Sequence, residues 1–294
     1  MIFLAQIATK FAKFGDVSFI LSHFGSRAVI PAVPMADPLL PKEAEKEEPL
    51  LPKKKWWTRF FPEDDPHQRK VSLGAAFSFV AGYVDANTKV RFDTYGGMMT
   101  GNTVSLAMAI QSCEALGILL YVMIIVCFEI GVFGSTRLIS SYASASDAAE
   151  TTGGLPSKSL PALGVAMFVF LVACDMGDLL LTRDGDRGQE FMAPRFTSAF
   201  TAVAMGCQNV ISQTSSLKQN TTFVTGNLQK IGQVLERGAA SAADRKAGSQ
   251  LVMGWMSYVA GGIVGAALAQ WVGIFSLCPV ALLQVAALYC LRLL

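Results

Sequence analysis

The chain reads as an all-α polytopic membrane protein of about six transmembrane helices plus two short half-helices, arranged as two structural repeats. Three observations give this class. The 294 residues have a mean hydropathy of +0.43, with 52% hydrophobic and only 16% charged residues, where an ordinary soluble domain has roughly a quarter charged. Apolar stretches of membrane-crossing length recur from about residue 71 to the C-terminus. Finally, Thr100-Gly101-Asn102 returns as Thr225-Gly226-Asn227, each opening an apolar stretch that is too short to cross.

The repeat extends beyond the tripeptides. Gly82-Tyr83-Val84-Asp85 precedes the first and Gly206-Cys207-Gln208-Asn209 the second, and the separations 85 to 100 and 209 to 225 differ by a single residue. The order helix, Gly-x-x-Asp/Asn, loop, Thr-Gly-Asn, short helix thus occurs twice. In a membrane chain, matching interrupted segments in two halves point to a substrate or ion site. Tyr258 to Gly265, with Gly261 and Gly265 at small-xxx-small spacing, reads as close helix packing, and Gly131-Val132-Phe133-Gly134 is its counterpart in the first half.

In chain order, residues 1–30 carry Phe3, Leu4, Ile7, Phe11 and Phe14 at near-helical spacing with Lys10, Lys13 and Arg27. They suit an organellar presequence, an interfacial amphipathic helix or an unremarkable tail. Residues 31–68 alternate prolines with Glu43, Glu45, Glu47, Glu48 and Lys53 to Lys55, a composition that cannot offset its ordering entropy and predicts a disordered linker. Trp56, Trp57, Phe60 and Phe61 look like its interfacial anchor. The tail is therefore 1–68 and the integral membrane domain 69–294, with repeat one at about 71–182 and repeat two at about 196–293.

Crossings are expected at about 71–90, 116–139, 160–182, 196–214, 249–271 and 274–293. The stretches at about 101–112 and 226–237 are different. Twelve residues of helix cover about 18 Å, against about 30 Å of hydrocarbon, so each is a half-helix or re-entrant segment. Three full crossings per half make the repeat inverted, the favoured case; four would make it parallel. Both schemes, with the Lys/Arg excess near 53–70, put both termini on the cytoplasmic side. Residues 140–159, rich in Ser, Ala and Gly, are expected to be a flexible loop.

The candidate pathway residues are Asp85, Thr100, Gly101, Asn102, Glu129, Asp175, Gln208, Asn209, Thr225, Gly226 and Asn227. Asn or Thr can cap orphan backbone N–H groups, glycine permits close approach, and a helix N-terminus attracts anions. The tripeptides therefore either line a pathway or only cap short helices. Asp85, followed by Lys89, Arg91 and Asp93, reads equally as a buried carboxylate or an interfacial ion-pair member. Glu129 lies midway along its crossing, where a carboxylate costs about 2.5–3.5 kcal/mol and normally faces the bundle interior. Asp175 and Asp178 are three apart and share one helix face. Glu129 and Asp175 are the expected charge-coupling residues. Gln208, Asn209 and Gln213 form a polar run, and one intramembrane amide commonly joins helices.

A formal net charge of +2 with dispersed basic residues excludes a nucleic-acid partner. The six cysteines form no CxxC pair and mostly sit in apolar segments, which argues against disulfides and a metal site. His23 and His67 both precede the first crossing, leaving no intramembrane histidine for haem or a proton shuttle. With no ATP-binding, zinc-protease, serine-hydrolase or kinase signature, the expectation is a non-enzyme without cofactors.

At Ala81-Gly82-Tyr83-Val84-Asp85-Ala86, Met99-Thr100-Gly101-Asn102-Thr103, Gly206-Cys207-Gln208-Asn209 and Phe223-Val224-Thr225-Gly226-Asn227-Leu228 the chain resembles the YoaK-like family, a domain of unknown function (DUF1275). The resemblance covers about residues 71–293 and implies an integral membrane protein of about six helices, with no substrate. The long N-terminal extension and the charged stretch 183–187 depart from it without disturbing the motifs. The functional expectation is a secondary transporter or permease for a small solute or ion, working in a lipid bilayer, with self-association and the membrane left open. The alternative is a non-transporting scaffold or sensor.

Overall fold

The computed structural model describes residues 66–145, 151–152, 155–156, 158–182, 192–215, 217, 221, 224–236 and 242–292. The expectations for residues 1–65 and for the charged stretch 183–187 lie outside the described residues. The described elements are helical apart from one two-residue strand pair: α1 (Pro66–Phe92), α2 (Met99–Gln111), α3 (Ala115–Ala145), β1 (Thr151–Thr152), β2 (Leu155–Pro156), α4 (Ser159–Thr182), α5 (Met192–Phe196), α6 (Ser198–Thr214), α7 (Val224–Glu236), α8 (Ala242–Trp271) and α9 (Cys278–Arg292).

Local chemistry sets several boundaries. Pro66 occupies the first position of α1, where its missing N–H costs nothing. The helix stops where Asp93 turns left-handed at φ +56°, its N–H still bonded to the Lys89 carbonyl at 3.1 Å. Helix α3 continues through Ala145 into the expected 140–159 loop. Ser140 and Ser141 donate back to the carbonyls of Thr136 and Arg137 at 2.9 Å, so these hydroxyls are satisfied inside a helix. Residues 115–143, 159–181 and 246–271 are long and apolar enough to cross a membrane; 278–291 is apolar but shorter. Helix α1 carries Lys70, Asp85, Lys89 and Arg91, and α6 has only 17 residues with three side-chain amides, which sets both apart from those three.

The pairing of helices follows a pattern. Helix α1 packs on α8 and α3 on α6; α2 lies on α3 and α7 on α8; α4 meets α6 and α9 meets α1; α4 and α9 also touch each other. The main crossings are made by glycine over carbonyl. A Cβ on Gly82 would strike the Tyr258 carbonyl, and one on Gly261 the Phe79 carbonyl. At the other crossing, a Cβ on Gly206 would strike the Phe128 carbonyl and one on Gly131 the Val203 carbonyl. In all four contacts the carbonyl lies three residues before the partner helix's glycine. Gly265 continues the first crossing against the Tyr83 carbonyl. Gly134 differs from expectation: it is exposed and nothing lies within 4 Å of where its Cβ would stand, so it packs no helix.

The bundle's exterior is apolar, with Phe133, Leu180, Ile263 and Leu282 each more than 60% exposed. An exposed apolar surface of this extent on helices of crossing length marks a membrane protein.

The glycine contacts make a direct prediction. Gly82→Val and Gly206→Val should each lower the melting temperature of the detergent-solubilised protein or prevent folding, since overpacking costs about 1–3 kcal/mol even where neighbours can yield, and here the obstacle is backbone. Gly134→Val should leave the melting temperature unchanged.

Candidate functional site

Between α1 and α2 the chain leaves helical geometry for residues 93–98 and turns back along α1. Buried side chains of α1 hold it there. Asp85 is 2% exposed; its Oδ1 accepts the N–H groups of Gly97 at 2.6 Å and Met98 at 3.1 Å, and its Oδ2 accepts the Tyr258 hydroxyl at 2.7 Å. Thr88 Oγ1 accepts the Gly96 N–H at 3.0 Å. From the other side, Asn102 clasps Tyr95: its Oδ1 accepts the Tyr95 N–H at 3.0 Å and its Nδ2 donates to the Tyr95 carbonyl at 2.7 Å. The Tyr95 ring lies where a Cβ on Gly101 would go, which explains the glycine. Thr100 is exposed in the same turn.

This revises the expected capping. The residue before α2 is Met98, which makes no side-chain cap bond. The N-terminus of α2 is served from outside by Asp85, a carboxylate placed where the helix dipole favours negative charge. Of the two readings of Asp85, the buried one holds, and Lys89 pairs with Asp93 instead, at 2.5 Å. In the second tripeptide, Thr225, Gly226 and Asn227 form the first turn of α7, and Asn227 is buried. The side chain of Thr225 lies outside the described residues.

Two further polar clusters occupy the bundle. Arg91 reaches Asp175 Oδ1 at 2.6 Å, Asp178 Oδ2 at 2.7 Å and Ser276 Oγ at 3.0 Å, so Asp175 is the buried partner of an arginine from another helix. Deeper in the bundle, Gln208 Nε2 donates to the Phe77 carbonyl at 2.8 Å, and Gln284 Nε2 donates to Gln208 Oε1 at 2.9 Å. Gln208 therefore ties α6 to α1 and α9. Asn209 is 8% exposed and accepts Gln213 Nε2 at 2.9 Å. Glu129 departs from expectation. It is exposed on α3, because Ile124, Phe128 and Gly131 take the inward face and leave position 129 turned outward.

Residues 73–290 match the family described as protein of unknown function (DUF1275). The chain belongs to this family. No curated protein and no solved structure matches it. The DUF1275 span takes in both tripeptides, all four glycine-over-carbonyl contacts and the Arg91 cluster.

Among the residues of these clusters, Thr88, Arg91, Tyr258, Ser276 and Gln284 were not sequence candidates. Tyr258 and Ser276 contact Asp85 and Arg91 across more than 170 residues, which no local pattern signals. Arg91 stands out only as a charge near a helix end. Gln284 had a signal: it is a single amide in an apolar helix, open to the same reasoning as Gln208.

In this DUF1275 chain, Asp85→Ala should strand the buried N–H groups of Gly97 and Met98, at about 1–3 kcal/mol for an unsatisfied group. Amide hydrogen exchange of residues 94–98 should accelerate strongly, while exchange in the middle of α3 stays unchanged.

Proposed function

We propose that the protein is a secondary transporter or permease for a small solute or ion. In this reading it is built from two inverted repeats of three crossings and one half-helix. The observation that carries it is the unwound segment 93–98, folded back into the bundle and ending at a half-helix N-terminus that faces a buried carboxylate. Non-helical backbone at membrane depth is tolerated only where protein buries it or a watery cavity meets it, and interrupted helices of this kind form solute and ion sites in transporters. The helix pairs support the repeat. Exchanging α1 with α6, α2 with α7, α3 with α8 and α4 with α9 turns each main pair into another main pair.

In this scheme α1, α3, α4, α6, α8 and α9 cross in alternating directions, and α2 and α7 re-enter from opposite sides. Both termini lie on the cytoplasmic side with the Lys/Arg excess of residues 53–70. Asp85 is the coupling group: a proton or cation that takes its carboxylate competes with the Gly97 and Met98 N–H groups, so occupancy loosens the fold-back. Glu129, being exposed, is replaced in that role.

A second reading is favoured by the same geometry. Both oxygens of Asp85 and both ends of the Asn102 amide are already used by protein, as a non-transporting scaffold would have them.

Flux separates the two. In reconstituted vesicles screened with solute panels under a pH gradient, Asn102→Leu, Asn227→Leu and Asp85→Asn should each abolish uptake while leaving a monodisperse protein. Uptake per folded molecule that survives all three substitutions would return the tripeptides to a capping role. For the topology, single cysteines replacing Ser112 and Gly238 should react with an impermeant reagent from opposite faces; reaction from one face would remove the inverted arrangement.

A further inference from the structure

The Arg91 cluster joins three separate parts of the chain at the end of the bundle where α1 finishes. Beyond its bonds to Asp175, Asp178 and Ser276, the guanidinium lies 3.4 Å from Asn87 Oδ1. Asp175 Oδ2 accepts the N–H groups of Leu277 at 3.0 Å and Cys278 at 3.2 Å, at the start of α9. The Tyr83 hydroxyl donates to the Ser276 carbonyl, and Asn87 Nδ2 donates to Ser276 Oγ at 2.8 Å. One ion-paired centre therefore fastens the ends of α1 and α4 and the corner between α8 and α9. The three charged side chains are only 6%, 0% and 11% exposed.

Three features make this a fastening that can open. First, two carboxylates face one guanidinium whose buried Nε has no hydrogen-bond partner among the described residues. For a buried ion pair the desolvation cost rivals the attraction, so packing alone is better served by apolar residues. Second, the corner it holds is strained: Phe275 sits at φ +72°, a genuine outlier for a bulky residue. Third, the second repeat carries no arginine at the matching position. Arg91 lies six residues past Asp85, and six past Asn209 stands Ser215, which accepts the Leu217 N–H at 3.3 Å. The same two helices that Asp175 ties together line a groove of about 430 Å³ elsewhere along their length, with Leu160, Gly164, Phe168, Leu282, Leu288 and Tyr289 in its walls. Helices α4 and α9 are thus pinned by charge at one end and flank an apolar groove towards the other.

We propose that Arg91, Asp175, Asp178 and Ser276 form a gate that closes the pathway at the end of the bundle where α1 finishes. Opening separates α4 from α9 there. This rests on the transporter reading above, but its test needs no solute. Three native cysteines report on it. Cys113 is exposed beside the start of α3, at the gate's end; Cys174 is 0% exposed and adjoins Asp175; Cys207 is 5% exposed and packs against the Gly131 carbonyl at the α3–α6 crossing.

The full chain in vesicles is treated with a membrane-impermeant maleimide on the side where Cys113 reacts, and labelling is mapped by peptide mass spectrometry. In the unaltered protein Cys113 should label and Cys174 should not. Arg91→Gln and the milder Asp178→Asn should raise the Cys174 rate at least tenfold with Cys207 still protected. Lys89→Gln, which removes the exposed pair with Asp93 at the same end, should change nothing. Protection of Cys174 in both gate variants would overturn the proposal. So would joint labelling of Cys174 and Cys207, which would make the cluster a fold element. Opening without solute flux in any panel would leave the gate standing and count against transport.

Discussion

The bundle depends on the approach of backbone to backbone where α1 crosses α8 and α3 crosses α6. With no side chain at Gly82, Gly261, Gly131 and Gly206, each helix lies directly on a carbonyl of its partner. In a membrane, where lipid tails are as apolar as leucine, such van der Waals contact is a principal source of helix association. Cα–H···O contacts of this type add about 0.5–1 kcal/mol each. The consequence reaches the site. Only a close α1–α8 crossing brings the Tyr258 hydroxyl to Asp85, and only α6 lying near α1 lets Thr201 and Met205 cover Gly96 and Gly97.

The fold-back at 93–98 is the element that this packing makes affordable. Its backbone groups cannot all be satisfied by helix, and Asp85, Thr88 and Asn102 satisfy them from both sides. A segment held by a carboxylate differs from one held by amides alone, because its bonds depend on charge. That places a charge-sensitive joint beside the short helix α2, while the arginine cluster holds the end of the bundle and the glutamine pair ties its interior. These three polar layers draw on α1, α2, α4, α6, α8 and α9, leaving α3 largely as packing surface.

Much of this was legible in the sequence. The two short helices fall within a few residues of expectation, because an apolar run of about twelve residues opened by Thr-Gly-Asn has few other solutions. The packing roles of Gly131, Gly261 and Gly265 followed from small-residue spacing. Facing was not legible in α3: its inner and outer sides are both apolar, so hydrophobic periodicity carries no phase, and the depth of Glu129 said nothing about its direction. Arg91 escaped for a different reason. A helix-end arginine is ordinarily solvated, and only the distant Asp175, Asp178 and Ser276 make it a buried centre.

The central claim is that α1 packs on α8, in the other half of the chain, and not on its own half's α3. Cross-linking tests it most directly. A Cβ at Gly262 would stand 3.8 Å from that of Ala86, within the about 3.5–4.5 Å span of a disulfide. Under mild oxidation of the membrane-embedded protein, the pair Ala86→Cys with Gly262→Cys should form a bond, whereas Ala86→Cys with Phe133→Cys, on the exposed side of α3, should not. A folded protein in which the first pair stays reduced and the second closes would contradict the account.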